Sequence, residues 1–319
     1  MGAIAVIGKI RTIRPIDGAD FIQAAEVVCG AAGKWSGVVG KDVEEGESVT
    51  VFLQDALLPP NERWAFMEKH KWRVRMARFK GVPSECLIIK GAPDMPVGTD
   101  LAEALGVTKY EKPIPVGMQG DFVGAFPGHI PKTDEPNFQS VPELVDRMHT
   151  EPWYATEKAD GTSCTAYVDE TGLHVCSRHW ELKEFTARGA SNAYWTVARK
   201  YGLDRLPHGV ALQFEVVGPG IQGNPMGLKE LEARAFTLRD TREHRYLPWS
   251  ELVKHTDALN VPTARFVGNG WQTDGRSDDE LRKLAEIKYA SGKHGEGIVI
   301  RAMDSSWSFK VINLLYKEA

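Results

Sequence analysis

Thr156-Glu157-Lys158-Ala159-Asp160-Gly161-Thr162-Ser163 is the stretch on which the reading of this chain turns. It precedes an alternating run, Thr165-Ala166-Tyr167-Val168, which leads through Asp169-Glu170-Thr171-Gly172 into Leu173-His174-Val175-Cys176. Two short runs of that kind around a turn ending in glycine predict a β-hairpin. A lysine therefore stands at the mouth of a hairpin, two residues ahead of an Asp-Gly turn. Taken alone, Lys-x-Asp-Gly is a common solvated turn, because Asp and Gly both accept tight backbone geometry. Its neighbours decide between a turn and a site.

Downstream of the lysine the pattern mixes helix and strand. A helix is predicted across residues 190–201. Another is predicted to start at Ser277, because Ser277-Asp278-Asp279-Glu280 has the form of a capping box ahead of Leu281, Leu284 and Ile287. Strands are expected over residues 297–301 and 307–312. Upstream, short apolar runs such as Ile4–Ile7, Trp35–Val39, Ser48–Leu53 and Cys86–Ile89 alternate with turn residues, the pattern of a small barrel or sandwich. Within it, Lys69–Lys80 reads with period two, placing Trp72, Val74 and Met76 on one face and Arg73 and Arg75 on the other. Arg73, Arg75, Arg78 and Lys80 then form a candidate phosphate-binding surface, the alternative being a solvated edge strand. Between residues 91 and 136 prolines interleave with glycines, as in Pro113, Pro115, Pro127, Pro131 and Pro136. The expected organisation is an all-β domain over residues 1–110, a linker over 111–136 and an α+β domain over 137–319.

The 319 residues are 42% hydrophobic and 26% charged, ordinary values for a globular chain, and no apolar run approaches the ~20 residues of a membrane helix. The first residues lack a basic segment before an apolar core, so a cytoplasmic location is expected. Four cysteines without a C-x-x-C pair indicate neither a zinc site nor a disulfide framework. A net charge of −4 leaves nucleic-acid binding to local patches.

Five further segments follow the lysine: Val175-Cys176-Ser177-Arg178, Gln213-Phe214-Glu215-Val216, Phe236-Thr237-Leu238-Arg239-Asp240, Glu296-Gly297-Ile298-Val299-Ile300 and Ser308-Phe309-Lys310. Each is bland singly; in this order they resemble the motifs of the covalent nucleotidyltransferases, the polynucleotide ligases and RNA capping enzymes. The resemblance implies that Lys158 takes the nucleotide, that Lys310 contacts its α-phosphate, and that Asp160, Glu215 and Glu296 hold Mg²⁺ or Mn²⁺. It implies further that Asp160-Gly161 and Arg178 lie against the nucleotide, that Phe236 stacks on adenine, and that Glu157 helps to read it. Such roles suit the residue types: carboxylates are hard oxygen ligands, and transfer at phosphorus relies on fixed cations. As alternatives, Asp160 shapes its turn, Glu215 binds ribose hydroxyls, and Glu296 is a loop acid. A lysine amine attacks only when unprotonated, and its ordinary pKa is near ~10.4, so burial, Lys310 and a bound cation are expected to depress that of Lys158 in the ATP-bound protein.

A narrower resemblance covers almost the whole chain. Gly81-Val82-Pro83-Ser84-Glu85-Cys86-Leu87, Pro131-Lys132-Thr133-Asp134-Glu135 and Val217-Gly218-Pro219-Gly220-Ile221-Gln222-Gly223-Asn224-Pro225 resemble the Deinococcus-type nick-sealing RNA ligases. That family implies an N-terminal OB barrel followed by an α+β adenylyltransferase domain. It also implies ATP-dependent joining of a 3′-hydroxyl to a 5′-phosphate through lysyl-AMP, at nicks in duplexes with RNA on the 3′-hydroxyl side; the sequence does not reveal the oligomeric state, and a monomer is favoured. The chain departs from the pattern at Asn137, where an arginine that helps to hold the triphosphate is usual, and at Ile312, where a second lysine is usual; for the latter either Lys317 or a barrel arginine substitutes, or phosphate binding is weaker. With nine residues after Lys310, no further C-terminal OB domain is expected, which disfavours a capping enzyme. The remaining competitor is an RNA-binding protein with an inactive lysine site, since Ile13–Phe21 resembles an OB-type tRNA-binding segment.

Overall fold

The structure is a computed structural model, and it describes residues 3–110, 121–270 and 277–316. The chain divides into two compact units, residues 1–113 with 139–142 and residues 114–138 with 143–319. Strand dominates both, and among the described residues no helix is long and apolar enough to cross a membrane.

In the first unit β1 (Ala5–Pro15), β2 (Ile22–Val28), β3 (Lys34–Gly40) and β4 (Ser48–Phe52) are followed by β5 (Ala56–Leu57), β6 (Ala77–Phe79), β7 (Val82–Ser84), β8 (Leu87–Lys90), the short helix α1 (Ala102–Leu105) and β9 (Thr108–Lys109). The main sheet is antiparallel in the order β3-β2-β1-β4-β8. Ala5, Val6 and Ile7 are all buried because β1 has a core on each face. Val6 packs with Val27, Trp35 and Val51, while Ala5 and Ile7 pack with Phe52, Leu58 and Trp64. The sheet curls, since Glu85, just ahead of the β8 edge, donates its N–H to Ser36 O on the opposite edge strand at 2.8 Å.

The expected strand over residues 69–80 is not there. A 3₁₀ segment runs from Glu62 to His70, Lys71 and Trp72 take left-handed backbone (φ 53° and 56°), and only Ala77–Phe79 is strand, paired with β7. Left-handed residues cannot continue a β ladder. The apolar residues instead serve a local core, in which Val74 is buried and donates its N–H to Ala56 O.

The second unit contains two antiparallel sheets. β10 (Phe122–Ala125), α2 (Pro142–Met148), β11 (Trp153–Glu157), β12 (Thr162–Asp169), β13 (Gly172–Ser177), β14 (Trp180–Leu182), α3 (Ala193–Lys200), β15 (Val210–Val217), β16 (Glu232–Asp240) and β17 (Arg245–Tyr246) lead to α4 (Trp249–Leu259), β18 (Phe266–Gly270), α5 (Asp278–Leu284), β19 (Gly297–Ala302) and β20 (Ser308–Ile312). The larger sheet has the order β10-β14-β13-β12-β15-β16-β17 and the smaller β18-β11-β19-β20. One face of the larger sheet, with Cys164, Ala166, Leu212, Phe214, Ala235 and Leu238, packs under α3 and α4 in the main core. Period two sends the intervening Ser163, Thr165, Gln213 and Glu215 to the other face.

Local signals place several elements. The β12–β13 hairpin closes Asp169 against Gly172. α3 starts three residues later than expected because Asn192 caps it, its Oδ1 accepting from Trp195 N at 3.1 Å. α5 begins with the capping box on Ser277 and Glu280, but ends at Leu284. The expected linker is in part structure: residues 122–125 form an edge strand on β14, and Pro131 O and Pro136 O accept hydrogen bonds from Gln213 and Lys310. Residues 111–120 of that stretch, and Lys317, lie outside the described residues.

Candidate active site

Lys158 is the first residue beyond β11, every residue of which is buried. Its N–H continues the β11–β19 ladder by donating to Gly297 O at 2.8 Å. Two motif glycines permit this closeness. A Cβ on Gly161 would lie 2.5 Å from Val216 O, and one on Gly297, where φ is 140°, would lie 2.2 Å from Val311 O. Any side chain there would force the strands apart.

The ladder brings the lysine amine to the next motif: Nζ lies 2.6 Å from Glu296 Oε1, both side chains about three-quarters buried (26% and 22% exposed). Burial pulls the Lys158 pKa down, but the charges of Glu296, Glu215 and Asp160 outweigh it and leave it above the ordinary lysine value. These carboxylates therefore hold the amine protonated, whereas a depressed pKa was expected with ATP bound. Glu215 responds oppositely. Burial pushes its carboxyl up to about 8, with Glu296 and Asp160 adding to the shift and Lys158 and Arg178 opposing it. Tyr316 donates its hydroxyl proton to Asp160 Oδ2.

The structure brings Lys158, Asp160, Glu215 and Glu296 together, and gives the other expected residues varied settings. Arg178 follows β13 and pairs with Asp134 at 3.2 Å, both partly exposed. Lys310 lies on β20 opposite Val299, its N–H held by Pro136 O at 2.8 Å, with Asn137 bridged to it. Ile312, where a lysine was expected, pairs with Gly297. Phe236 is buried, with the Arg301 guanidinium 5.4 Å from its ring centroid, so a stacked base would share the ring with that cation. Glu157 is buried and its carboxylate is taken by Arg265, at 2.9 Å from Nε and 2.7 Å from Nη2. That engages the carboxylate expected to read adenine.

In the first unit, Arg73 does not join a basic face. Its guanidinium bonds Asp55 at 2.6 Å and lies 4.1 Å from the Tyr110 ring centroid, leaving 14% of the side chain exposed. Arg75, Arg78 and Lys80 are exposed, the last two on the β6–β7 hairpin and its turn beside exposed Phe79.

Sequence reasoning missed three contributors. Arg301 is buried and bonds Thr156 Oγ1 at 3.2 Å and Glu135 Oε1 at 2.9 Å, while Ser308 donates to Glu135 Oε2. These contacts pin the 131–136 segment to the smaller sheet, beside a cavity of about 160 Å³ lined by Glu135, Gln213, Thr237, Tyr246, Arg301 and Ser308. Tyr316 and Tyr289 are the others, and no local pattern announces them.

Among the described residues no three His, Cys, Asp or Glu side chains converge tightly enough to hold a metal. The chemistry of the carboxylates does fit a hard divalent cation. Three acids crowd one lysine, and burial first, with the charges of Glu296 and Asp160 added, keeps Glu215 protonated.

The site is thus a partly buried lysine at a strand end, among acids carried by two antiparallel sheets. The RNA ligase family profile matches residues 151–315, more than half of the chain, and the chain belongs to that family. Among solved structures, Naegleria gruberi RNA ligase with PPi matches at TM-score 0.82 and 29% identity, over 98% of this chain and 97% of that one. Mutants of that ligase with ATP and Mn, and with AMP and Mn, match at TM-score 0.82 with 29% and 28% identity; each match covers 97% of this chain, and 97% and 96% of the other. No curated protein sequence matches.

Proposed function

We propose that this RNA ligase uses ATP and carries AMP on Lys158. The carrying observation is the 2.6 Å approach of the Lys158 amine to Glu296, in company with Asp160 and Glu215. The Lys158 nitrogen attacks the α-phosphorus of ATP, forming a P–N bond as the bond to pyrophosphate breaks and the ammonium proton leaves to solvent. The 5′-phosphate of a nucleic acid then displaces the lysine, and a 3′-hydroxyl displaces AMP to form the phosphodiester. Lys310 and Arg178 supply positive charge to the phosphates, and Phe236 and Glu157 border the base. Asp160, Glu215 and Glu296 would hold a divalent cation, in part through its waters, and when bound it would neutralise charge, relieving the carboxylate pull that keeps Lys158 protonated and screening the phosphates.

The relatives support this reading. Variants of the Naegleria ligase substitute a lysine, an aspartate two positions later, a glutamate fifty-seven positions after that lysine, and a glutamate and lysine fourteen apart. Lys158, Asp160, Glu215, Glu296 and Lys310 have those spacings. Structures of that ligase with ATP and Mn favour the same substrate and ion here.

The first unit acts, in this reading, as an OB-type barrel gripping nucleic acid through Arg78 and Lys80. The substrate is a nicked duplex with ribonucleotide at the 3′-hydroxyl side, as in the Deinococcus-type ligases. The test compares sealing of nicks that differ only in the terminal 3′-hydroxyl sugar. Faster sealing of the ribonucleotide nick is expected; equal sealing of all-DNA nicks would overturn the substrate assignment.

A further inference from the structure

Tyr289 belongs to none of the motifs that mark the site, yet its hydroxyl oxygen touches three of their backbone groups. It lies 3.1 Å from Asp160 N, 3.1 Å from Glu296 N and 3.0 Å from Lys158 O. A phenol has one proton to donate and two lone pairs with which to accept. Here it donates to the Lys158 carbonyl and accepts from the two amides, so its whole capacity is taken up by backbone. Each partner residue carries a side chain of the site.

The ring is as fixed as the hydroxyl. It is 3% exposed and packs with Ala159, Val217, Met226 and Leu228. Ala159 is the residue between the lysine and the aspartate, so one small cluster grips the motif while the hydroxyl bonds on either side of it. The turn that delivers Tyr289 is closed by its N–H donating to Lys293 O, by Gly292 N–H donating to Tyr289 O, and by the bridge between Lys288 and His294. That turn doubles the chain back so that Tyr289 lies beside Glu296.

We propose that Tyr289 is a positioning residue for transfer of AMP to Lys158, a role that rests on reading Lys158 as the nucleophile. One oxygen fixes the lysine carbonyl and the amides of two acids, and thereby sets where the amine stands relative to both carboxylates and to the α-phosphorus. Removing it leaves three partly buried backbone groups without this partner and frees the loop to shift. Small misplacements of a nucleophile slow chemistry far more than they weaken nucleotide binding.

Tyr289→Phe keeps the ring and deletes one atom. Single-turnover formation of lysyl-AMP at saturating ATP and Mn²⁺ is expected to fall by about tenfold or more, with the KM for ATP within about twofold of the parent. Ser291→Ala is the control: it deletes a hydroxyl that bonds Pro225 O at 2.6 Å from the same turn, loosening the turn without touching the hub. It is expected to react at the parent rate. An unchanged rate in Tyr289→Phe, a KM that rises as the rate falls, or an equal loss in Ser291→Ala would overturn the proposal. Amide hydrogen exchange on the unaltered protein tests the geometry without relying on a variant that folds. Asp160 and Glu296 should be protected, and exchange of both at unbonded rates would contradict the hub. Absence of an adduct in the parent would sink the Lys158 reading and this role with it, whereas an adduct that forms equally well without the hydroxyl would sink this role alone.

Discussion

At the scale of single residues, the lysine proposed as the nucleophile is held protonated. Burial favours the neutral amine, but Glu296, Glu215 and Asp160 together reverse that and keep the proton on. Attack requires its loss, so the rate of lysyl-AMP formation should climb with pH across the neutral and mildly alkaline range; a flat profile in single-turnover measurements would contradict this picture. The lysine motif itself was legible, because Lys158, Asp160 and Gly161 lie within four residues of one another, although the approach of Val216 O that requires Gly161 comes from a distant strand. The Tyr289 hub was not. Its bonds join residues about 130 positions apart, and nothing in Tyr289-Ala290-Ser291-Gly292 distinguishes that ring from an ordinary core tyrosine.

At the scale of elements, the β12–β13 hairpin carries an ionic clasp outside the site. His174 lies 2.6 Å from Glu181 and 2.9 Å from Asp169 and stacks on Tyr167 with ring centroids 4.6 Å apart. Burial lowers its pKa, but the hydrogen bonds it donates to Glu181 and Asp169 prevail and raise it above the ordinary 6.5. A raised pKa in the folded state means that this stabilisation is complete below pH ~6.5 and is lost as pH rises through the folded value. His174→Gln should therefore destabilise by on the order of 1 kcal/mol at pH 6 and by less at pH 9, read as the difference in melting at the two pH values. A penalty equal at both would show that packing, not charge, is what His174 supplies. The Arg301–Glu135 pair ties the 131–136 segment to β19, with Arg301 4% exposed. Arg301→Met leaves the carboxylate unpaired and should cost about 3–5 kcal/mol in denaturant unfolding; a loss under about 1 kcal/mol would mean that the segment relaxes freely. Elements set by neighbouring residues were readable in advance: the Ser277 capping box is closed by groups three positions apart. Residues 69–80 were not, because the alternation of Trp72, Val74 and Met76 looks the same whether the backbone is extended or, as at Lys71 and Trp72, left-handed. What selects the observed path is the bonding of Arg73 to Asp55 and its stacking on Tyr110, both distant in sequence.

At the scale of the whole molecule, the division of labour proposed between the units predicts that catalysis and grip can be separated. Arg78→Ala with Lys80→Ala removes two exposed cations of the first unit. Lysyl-AMP formation should be unchanged, while nick sealing at sub-saturating substrate weakens and its dependence on salt becomes shallower, by up to about two phosphate contacts in the log–log slope. An unchanged slope would move the nucleic-acid contact elsewhere. The bulk properties foretold little of this, since a charge of −4 says nothing about where cations cluster.

The most direct test of the account is the intact mass of the purified protein after incubation with ATP and Mn²⁺, taken beside Lys158→Ala. An added mass of one AMP is expected in the parent, with release of pyrophosphate, and none in the variant. An unmodified parent, first freed of any AMP it carries, or an adduct that persists in Lys158→Ala, would contradict it.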